Sequence, residues 1–319
     1  MNGPVLFAYG FLEGGGVTAE DASASVKQGE PVWVHLDSNH IDTRAWLDEH
    51  IELDEHLVDA LLDDETRPRA IRDEDAALVW LRGVNLNADS SPEDMVTLRV
   101  YADAKKIITM RGRKLMAATD VENLLKRTQK KVTSGSVLCS LIDHLLDRMA
   151  PVLESLDDTL DATEELVIEQ GNADLRGEIN LIRRQAILFR RYISPQRDAI
   201  SQIRNLGCDW LNEIQHEQLI ESHNHVQRYV EDLDAMRERA QIVKEELANI
   251  LSERMNRNSF VLTVVAAIFL PISFLTGLLG INVAGIPGAE NEAAFWIFSG
   301  ILLVVVVLQI ALFKKMKWF

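Results

Sequence analysis

The sequence predicts an α+β domain, then long stalk helices, then two transmembrane α-helices at the C-terminal end. Three observations lead there. Two uncharged runs of membrane-spanning length lie near the end of the chain, short β-rich segments alternate with helical ones before about residue 135, and between these regions the apolar residues keep helical spacing. The predicted divisions are 1–135 for the α/β domain, 136–258 for the helical stalk, 259–280 for the first span, 281–292 for an outer loop, 293–313 for the second span and 314–319 for a basic tail. A chain of 319 residues has room for about two domains.

In the first part, Pro31 to Asp37 (PVWVHLD), Ala77 to Leu86 (ALVWLRGVNL), Met95 to Tyr101 (MVTLRVY) and Lys106 to Arg111 are rich in β-branched and aromatic residues and bounded by turn formers. Helical segments are predicted around Thr43–Glu49, Asp54–Asp63 and Thr119–Gln129, giving a sheet flanked by helices. Strand signals then stop. Leu138 to Gln170 reads as one amphipathic helix closed by Gly171 and Asn172, and a second runs from Ala173 towards Leu206, where Pro195 is expected to kink or break it. After a turn at Gly207–Asp209 a third helix starts near Leu211 and meets no Pro or Gly before Pro271. Its residues Val226, Tyr229, Leu233, Met236, Ala240, Val243, Leu247 and Ile250 follow alternating steps of three and four, the heptad seam of a coiled coil. Such a seam fits a stalk running into the membrane, and it equally fits packing on the chain's own preceding helices.

From Ser259 to Gly280 and from Ala293 to Phe313 there is no Asp, Glu, Lys, Arg or His. At 1.5 Å per residue each run spans about 30 Å, the thickness of bilayer hydrocarbon. Arg254 and Arg257 precede the first run and Lys314, Lys315 and Lys317 follow the second, whereas the connecting loop carries only Glu290 and Glu292 as charged residues. The basic-residue bias puts both ends of the chain in the cytoplasm and the loop outside, with Trp296 and Trp318 as interfacial anchors. Met1 to Gly10 lacks the basic n-region and apolar core of a cleavable signal peptide.

The formal charge is −16, and the three Lys and two Glu after Asn258 leave −17 for the residues before it. Such an acidic body disfavours nucleic acid and anionic lipid as partners; it serves solubility or, as an acidic vestibule, concentrates cations. Cys139 and Cys208 stand far apart, in no metal-binding spacing, which fits a reducing compartment.

Two helices per chain cannot enclose a watery path, so any conduction requires several copies. The first span has a face suited to it: Asn256, Ser259, Thr263, Ala266, Leu270, Ser273 and Gly277 recur at steps of three and four and, Leu270 apart, are small or polar. Close helix packing through small residues is the competing explanation. The opposite side carries Phe260, Val264, Ile268, Ile272, Leu275 and Leu279, which suit lipid or the second span. With no carboxylate, His or Cys in either span, an ion crossing here keeps much of its hydration shell, and Leu270 or Leu262 would supply an apolar constriction. Gly280 reads as a helix C-cap, and Asn282 either as a turn residue or as an amide offering its carbonyl oxygen to a hydrated cation, with Glu290 and Glu292 raising cation concentration nearby.

The run Phe269–Asn282 (FLPISFLTGLLGIN), a short loop, a last span and a basic-aromatic tail resemble the CorA metal-transport superfamily. Ile281 stands where that family has Met in its Gly-Met-Asn motif, and the loop continues Val-Ala-Gly-Ile-Pro-Gly (Val283–Gly288); both features look like the ZntB zinc-transport branch, as do Glu65–Arg69 (ETRPR) and Arg190–Asp198 (RRYISPQRD). The resemblance implies a funnel-shaped homopentamer in a prokaryotic inner membrane, with Asn256, Ser259, Leu262, Ala266, Leu270, Ser273 and Gly277 lining the pore and Gly280, Ile281 and Asn282 forming a selectivity motif at the outer mouth. It implies zinc import and leaves proton coupling open, since no titratable side chain in either span explains such coupling. Magnesium-selective relatives carry an acidic residue after the loop proline, where this chain has Gly288.

His216 and His223 share a face of the long helix as candidates for a cytoplasmic zinc site, but seven residues separate them, too many for direct chelation of one ion. His35 and His40 lie near a strand end. The expected partners are other copies of the chain, the bilayer and divalent metal ions, with zinc as cargo and no cofactor. A magnesium or cobalt channel of the same fold is the nearest alternative, and a non-conducting membrane-anchored scaffold or sensor comes from another class. No nucleophile elbow, phosphate loop, HExxH or paired-carboxylate site argues for an enzyme.

Overall fold

The computed structural model describes residues 3–11, 15–63, 67–127, 132–280 and 291–315. The elements run β1 (Val5–Gly10), β2 (Gly15–Val17), α1 (Ala19–Gln28), β3 (Val32–Asp37), α2 (Thr43–His50), α3 (Glu55–Leu62), β4 (Arg69–Asp73), β5 (Ala76–Gly83), β6 (Val96–Ala102), β7 (Lys106–Arg111), α4 (Met116–Arg127), α5 (Ser134–Glu169), α6 (Leu175–Asn205), α7 (Glu213–Leu279) and α8 (Ala294–Lys315). They form two compact units, Met1–Glu245 and Glu246–Phe319.

The first unit is built on a seven-stranded sheet in the order β2-β1-β3-β7-β6-β5-β4, with β3 and β7 parallel and the other pairs antiparallel. Its central strands read as near-continuous apolar runs because both faces are covered. On one face Val32, Val34, Leu36, Leu78 and Trp80 meet Ala22 and Val26 of α1, Trp46 and Leu47 of α2, and Val58 and Leu61 of α3. On the other lie the long helices. The Gln196 side chain of α6 accepts from the backbone N–H of Arg82 at 2.7 Å, and Gln202 accepts from that of Ala70 on edge strand β4 at 2.8 Å. Capping the edge strand in this way removes a template for pairing with other chains.

Four elements were not expected from the sequence: β1, β2, α1 and β4. β4 is a short edge strand with an irregular apolar pattern, and β1 is interrupted by a register shift between Val5 and Phe7. The two motifs of the resemblance turn out to be joints of this unit. Arg69 lies over the Trp80 ring at 4.4 Å and Arg82 over the Tyr192 ring at 4.7 Å, while Arg190 pairs with Asp234 of α7 at 2.6 Å. Glu65 and Thr66 lie outside the described residues.

Helix α6 continues through Pro195, against the expected kink or break. The lost Pro195 N–H removes one rung of the ladder, while Ile193, Gln196, Ala199 and Ile200 around it are buried and hold the helix in place. Thr133 and Ser136 form a reciprocal capping box at α5, and Asn212 and Gln215 exchange the same pair of bonds at the head of α7. Replacing Thr133 by Ala is expected to cost about 1 kcal/mol, read as an apparent Tm lower by roughly 2–4 °C, with Thr133→Ser close to the parent. A Thr133→Ala protein melting with the parent would show that tertiary contacts alone hold the start of α5.

The heptad seam is settled by its partners. Val226, Tyr229, Leu233, Met236, Ala240, Val243 and Leu247 are buried. The α7 residues beside them bond to α5 and α6 of the same chain. Ser222 donates to Asp143 at 2.8 Å, Arg239 pairs with Asp157, Asp161 and Glu164, and Lys244 donates to Asn180. The seam therefore packs on the chain's own helices.

His35 sits at the centre of the sheet with its roles fixed. Arg111 Nε donates to its Nε2 at 3.0 Å, so the ring is neutral and its Nδ1–H donates to Thr109 Oγ1 at 2.7 Å. The same hydroxyl accepts from Trp33 Nε1 and donates to the Val34 carbonyl. Burial, and the neighbouring Arg111 charge, push the His35 pKa down to about 3.

Candidate functional site: the apolar helices of the second unit

The second unit holds the C-terminal part of α7 and all of α8, both long and apolar enough to cross a membrane. The 22 residues of α8 correspond to about 33 Å of helix, and Lys314 and Lys315 occupy its last turn, where cations complement the helix dipole.

The two faces of α7 differ in surroundings. Val264 is buried and Ile268, Ile272 and Leu275 are half-buried, whereas Asn256, Ser259, Leu262, Ala266, Leu270, Ser273 and Gly277 are all exposed. At 100° per residue the first set clusters roughly opposite the second. The shielding comes from α8, whose less exposed residues Phe298, Leu302, Val305, Val306, Gln309 and Phe313 fall on one stripe. Within one protomer, then, the small-polar face of α7 is left open and the middle of the bulky face, Val264 to Leu275, is covered, while Phe260 and Leu279 at its two ends are exposed. Thr263, included by periodicity, is exposed on the edge of the open face, and its hydroxyl donates to the Ser259 carbonyl at 2.8 Å.

The apolar helix backbone carries few free polar groups. Thr276 donates to the carbonyls of Ile272 and Ser273, as Thr263 does to that of Ser259, so these hydroxyls are held by their own helix. Pro271 lies within α7, one residue after Leu270. A side chain added at Gly277 would meet nothing within 4 Å, but one at Gly280 would lie 2.8 Å from the Thr276 carbonyl oxygen. Gly280 therefore closes the helix, its N–H donating to that carbonyl at 2.9 Å, and only glycine fits. Ile281, Asn282 and Glu290 lie outside the described residues; Glu292 is exposed just before α8.

A polar contact joins the two helices: Gln309 Nε2 donates to the Ala267 carbonyl at 3.4 Å. Gln309 is the most polar residue of its uncharged run, and the signal that marks its role is an amide in one span beside a proline in the other.

His216 and His223 are half-buried along α7, and no three His, Cys, Asp or Glu side chains converge as a metal site among the described residues. Acidic groups do gather between α5 and α7. Burial, then Asp157 and Glu231, push the Asp232 carboxyl upward, and burial pushes Asp143 up although Ser222 donates to it.

Comparison with known proteins adds four findings. A family model described as "CorA-like Mg2+ transporter protein" matches residues 28–315. The zinc transport protein ZntB of Yersinia enterocolitica is 35% identical over 314 residues, 98% of this chain and 95% of that protein. The divalent cation transporter CmaX of Pseudomonas aeruginosa is 38% identical over 292 residues, 91% of this chain and 88% of that protein. The solved structure of the full-length CmaX protein superposes with a TM-score of 0.85 at 36% identity, covering 99% of this chain and 98% of that one.

Proposed function

The chain belongs to the CorA-like Mg2+ transporter family and is a divalent cation transporter rather than an enzyme; from that premise we propose that it carries zinc into the cell through a homopentameric pore lined by α7. The observation that carries the pore reading is the open face of α7, small and polar, opposite the face covered by α8. A single protomer leaves that stripe without a partner, and a ring of copies turns it inward around water.

The chemistry of the stripe fits a hydrated ion. Hydroxyls, an Asn amide and backbone carbonyls touch such an ion without stripping its water, and the leucines at Leu262 and Leu270 narrow the path. Zinc is supported by the likeness to ZntB, by Ile281 in place of Met and by Gly288 after Pro287. The membrane is the cytoplasmic one, with both chain ends inside, on the strength of Arg254, Arg257, Lys314, Lys315 and Lys317. At the outer mouth Gly280, Ile281 and Asn282 form the selectivity motif, and Glu290 and Glu292 gather cations there. His216 and His223 stand as a candidate regulatory zinc pair in the cytoplasm. Equal zinc affinity of the full chain after both are replaced by Ala would remove them.

Purified protein in liposomes with a zinc-sensitive dye is expected to show zinc flux above protein-free vesicles. Zinc, magnesium, nickel and cobalt are compared, each with and without a pH gradient. Magnesium or cobalt outpacing zinc would favour the alternative channel of the same fold, and no flux of any ion would favour a scaffold. In the same assay Asn282→Ala is expected to lower flux about tenfold, the equivalent of about 1.4 kcal/mol, with the oligomer intact. Unchanged flux would remove Asn282 from the outer mouth.

A further inference from the structure

Proline removes one hydrogen bond from a helix, and the position of the loss is fixed by geometry. In α7 the missing N–H of Pro271 is the one that would have bonded the carbonyl four residues earlier, that of Ala267. That carbonyl is the one Gln309 reaches from α8, with Nε2 at 3.4 Å. The amide's orientation follows, since only its NH2 end donates to a carbonyl. Gln309 lies in the middle of the shielded stripe of α8, and its Oε1 is buried with no hydrogen-bond partner among the described residues. A primary amide inside an apolar run is costly in lipid and is retained there for a partner.

We propose that Gln309 is a positioning residue for ion conduction: it satisfies the carbonyl that Pro271 leaves open and so fixes the angle of α7 at the level of Leu270. The inference rests on the reading of α7 as the pore helix. Leu270 and Ser273 flank the proline on the open face, so any bending at Pro271 moves the apolar constriction. The contact from α8 acts on the same turn, about 60° round the helix from Leu270. A bend in α7 must stretch or break it, and the outer helix thereby sets how wide the constriction stands. The length of 3.4 Å places the bond at the weak end, as suits a contact that yields during a conformational cycle.

A double-mutant cycle isolates this role, because Pro271→Ala restores the N–H that the Ala267 carbonyl lacks. In proteoliposomes, Gln309→Met is expected to lower the maximal divalent flux about three- to tenfold, the range of interhelical hydrogen bonds in membranes, with the half-saturating ion concentration unchanged within about twofold. Pro271→Ala combined with Gln309→Met is expected to conduct no worse than Pro271→Ala alone. Losses that multiply, or Gln309→Met conducting like the parent, would overturn the proposal. If Gln309→Met does not assemble, size-exclusion profiles carry the same test: the double variant is expected to recover the parental oligomer, and equal failure of both overturns the proposal. A failed pore reading shows itself separately, as parental flux through a chain whose open face carries a bulky ring at Gly277.

Discussion

Gly277→Trp is expected to reduce divalent flux by at least about tenfold, towards the leak of empty vesicles, while the protein still folds and assembles. Within the protomer the substitution is permitted, since an added side chain at Gly277 meets nothing within 4 Å. Its direction is what makes it harmful. Gly277 lies on the stripe of Ser259, Ala266, Leu270 and Ser273, the face of α7 that α8 leaves open. In the proposed pentamer an indole at each Gly277 fills the axis with apolar bulk, which excludes a hydrated cation by size and by dewetting. Val265→Trp is the matched control. Val265 is also exposed, at 47%, but lies well round the helix from Gly277, so its flux is expected to stay within about twofold of the parent. Equal flux from both variants would sink the pore assignment, and equal loss from both would show that bulk anywhere on α7 disturbs the unit.

The second large effect concerns stability and pH. In the folded chain His35 titrates near pH 3, against 6.5 for a free imidazole. Its folded pKa is depressed, so between these values the unfolded chain binds the proton and the folded chain does not. Stability from this group is therefore complete above about pH 6.5 and is lost as pH falls towards 3. At pH 5 the loss comes to about 2 kcal/mol, from 1.36 kcal/mol per pH unit over the interval below 6.5. For a unit of this size that is an apparent Tm lower by roughly 4–8 °C at pH 5 than at pH 7 from His35 alone. His35→Gln, which keeps an acceptor for Arg111, is expected to remove that share of the acid sensitivity. Should His35→Gln fold poorly, hydrogen exchange of β3 and β7 in the parent at the two pH values reads the same loss. Parallel melting curves for parent and variant, or exchange that does not change with pH, would mean the ring stays neutral for free.

The chemistry of the transporter is divided between sequence-local and long-range features. The open stripe of α7 follows from helical periodicity, because one face of a helix is set by residues three and four apart. Gly280 as a helix terminus was also legible, and the structure added the reason, the 2.8 Å approach of the Thr276 carbonyl to any Cβ there. The link from Gln309 to Ala267 was not legible. It joins residues far apart in the chain, and an amide in an apolar run announces a cost without naming the partner that offsets it.

By itself the sequence determined where the chain turns apolar, which end faces the basic side, and that long helices follow a small sheet. These depend on local composition and period, which solvent and bilayer read directly. Only the tertiary structure decided what each apolar surface meets. Hydrophobic contact has no direction, so the seam from Val226 to Val243 was suited both to another copy and to α5 and α6, and the bonds of Ser222, Arg239 and Lys244 assign it to the latter. The same indifference hid β4, whose place at the sheet edge is fixed by Gln202 reaching across from α6. It also left open which side of α7 belongs to α8, and that choice is what leaves the small-polar face open for the proposed ion path.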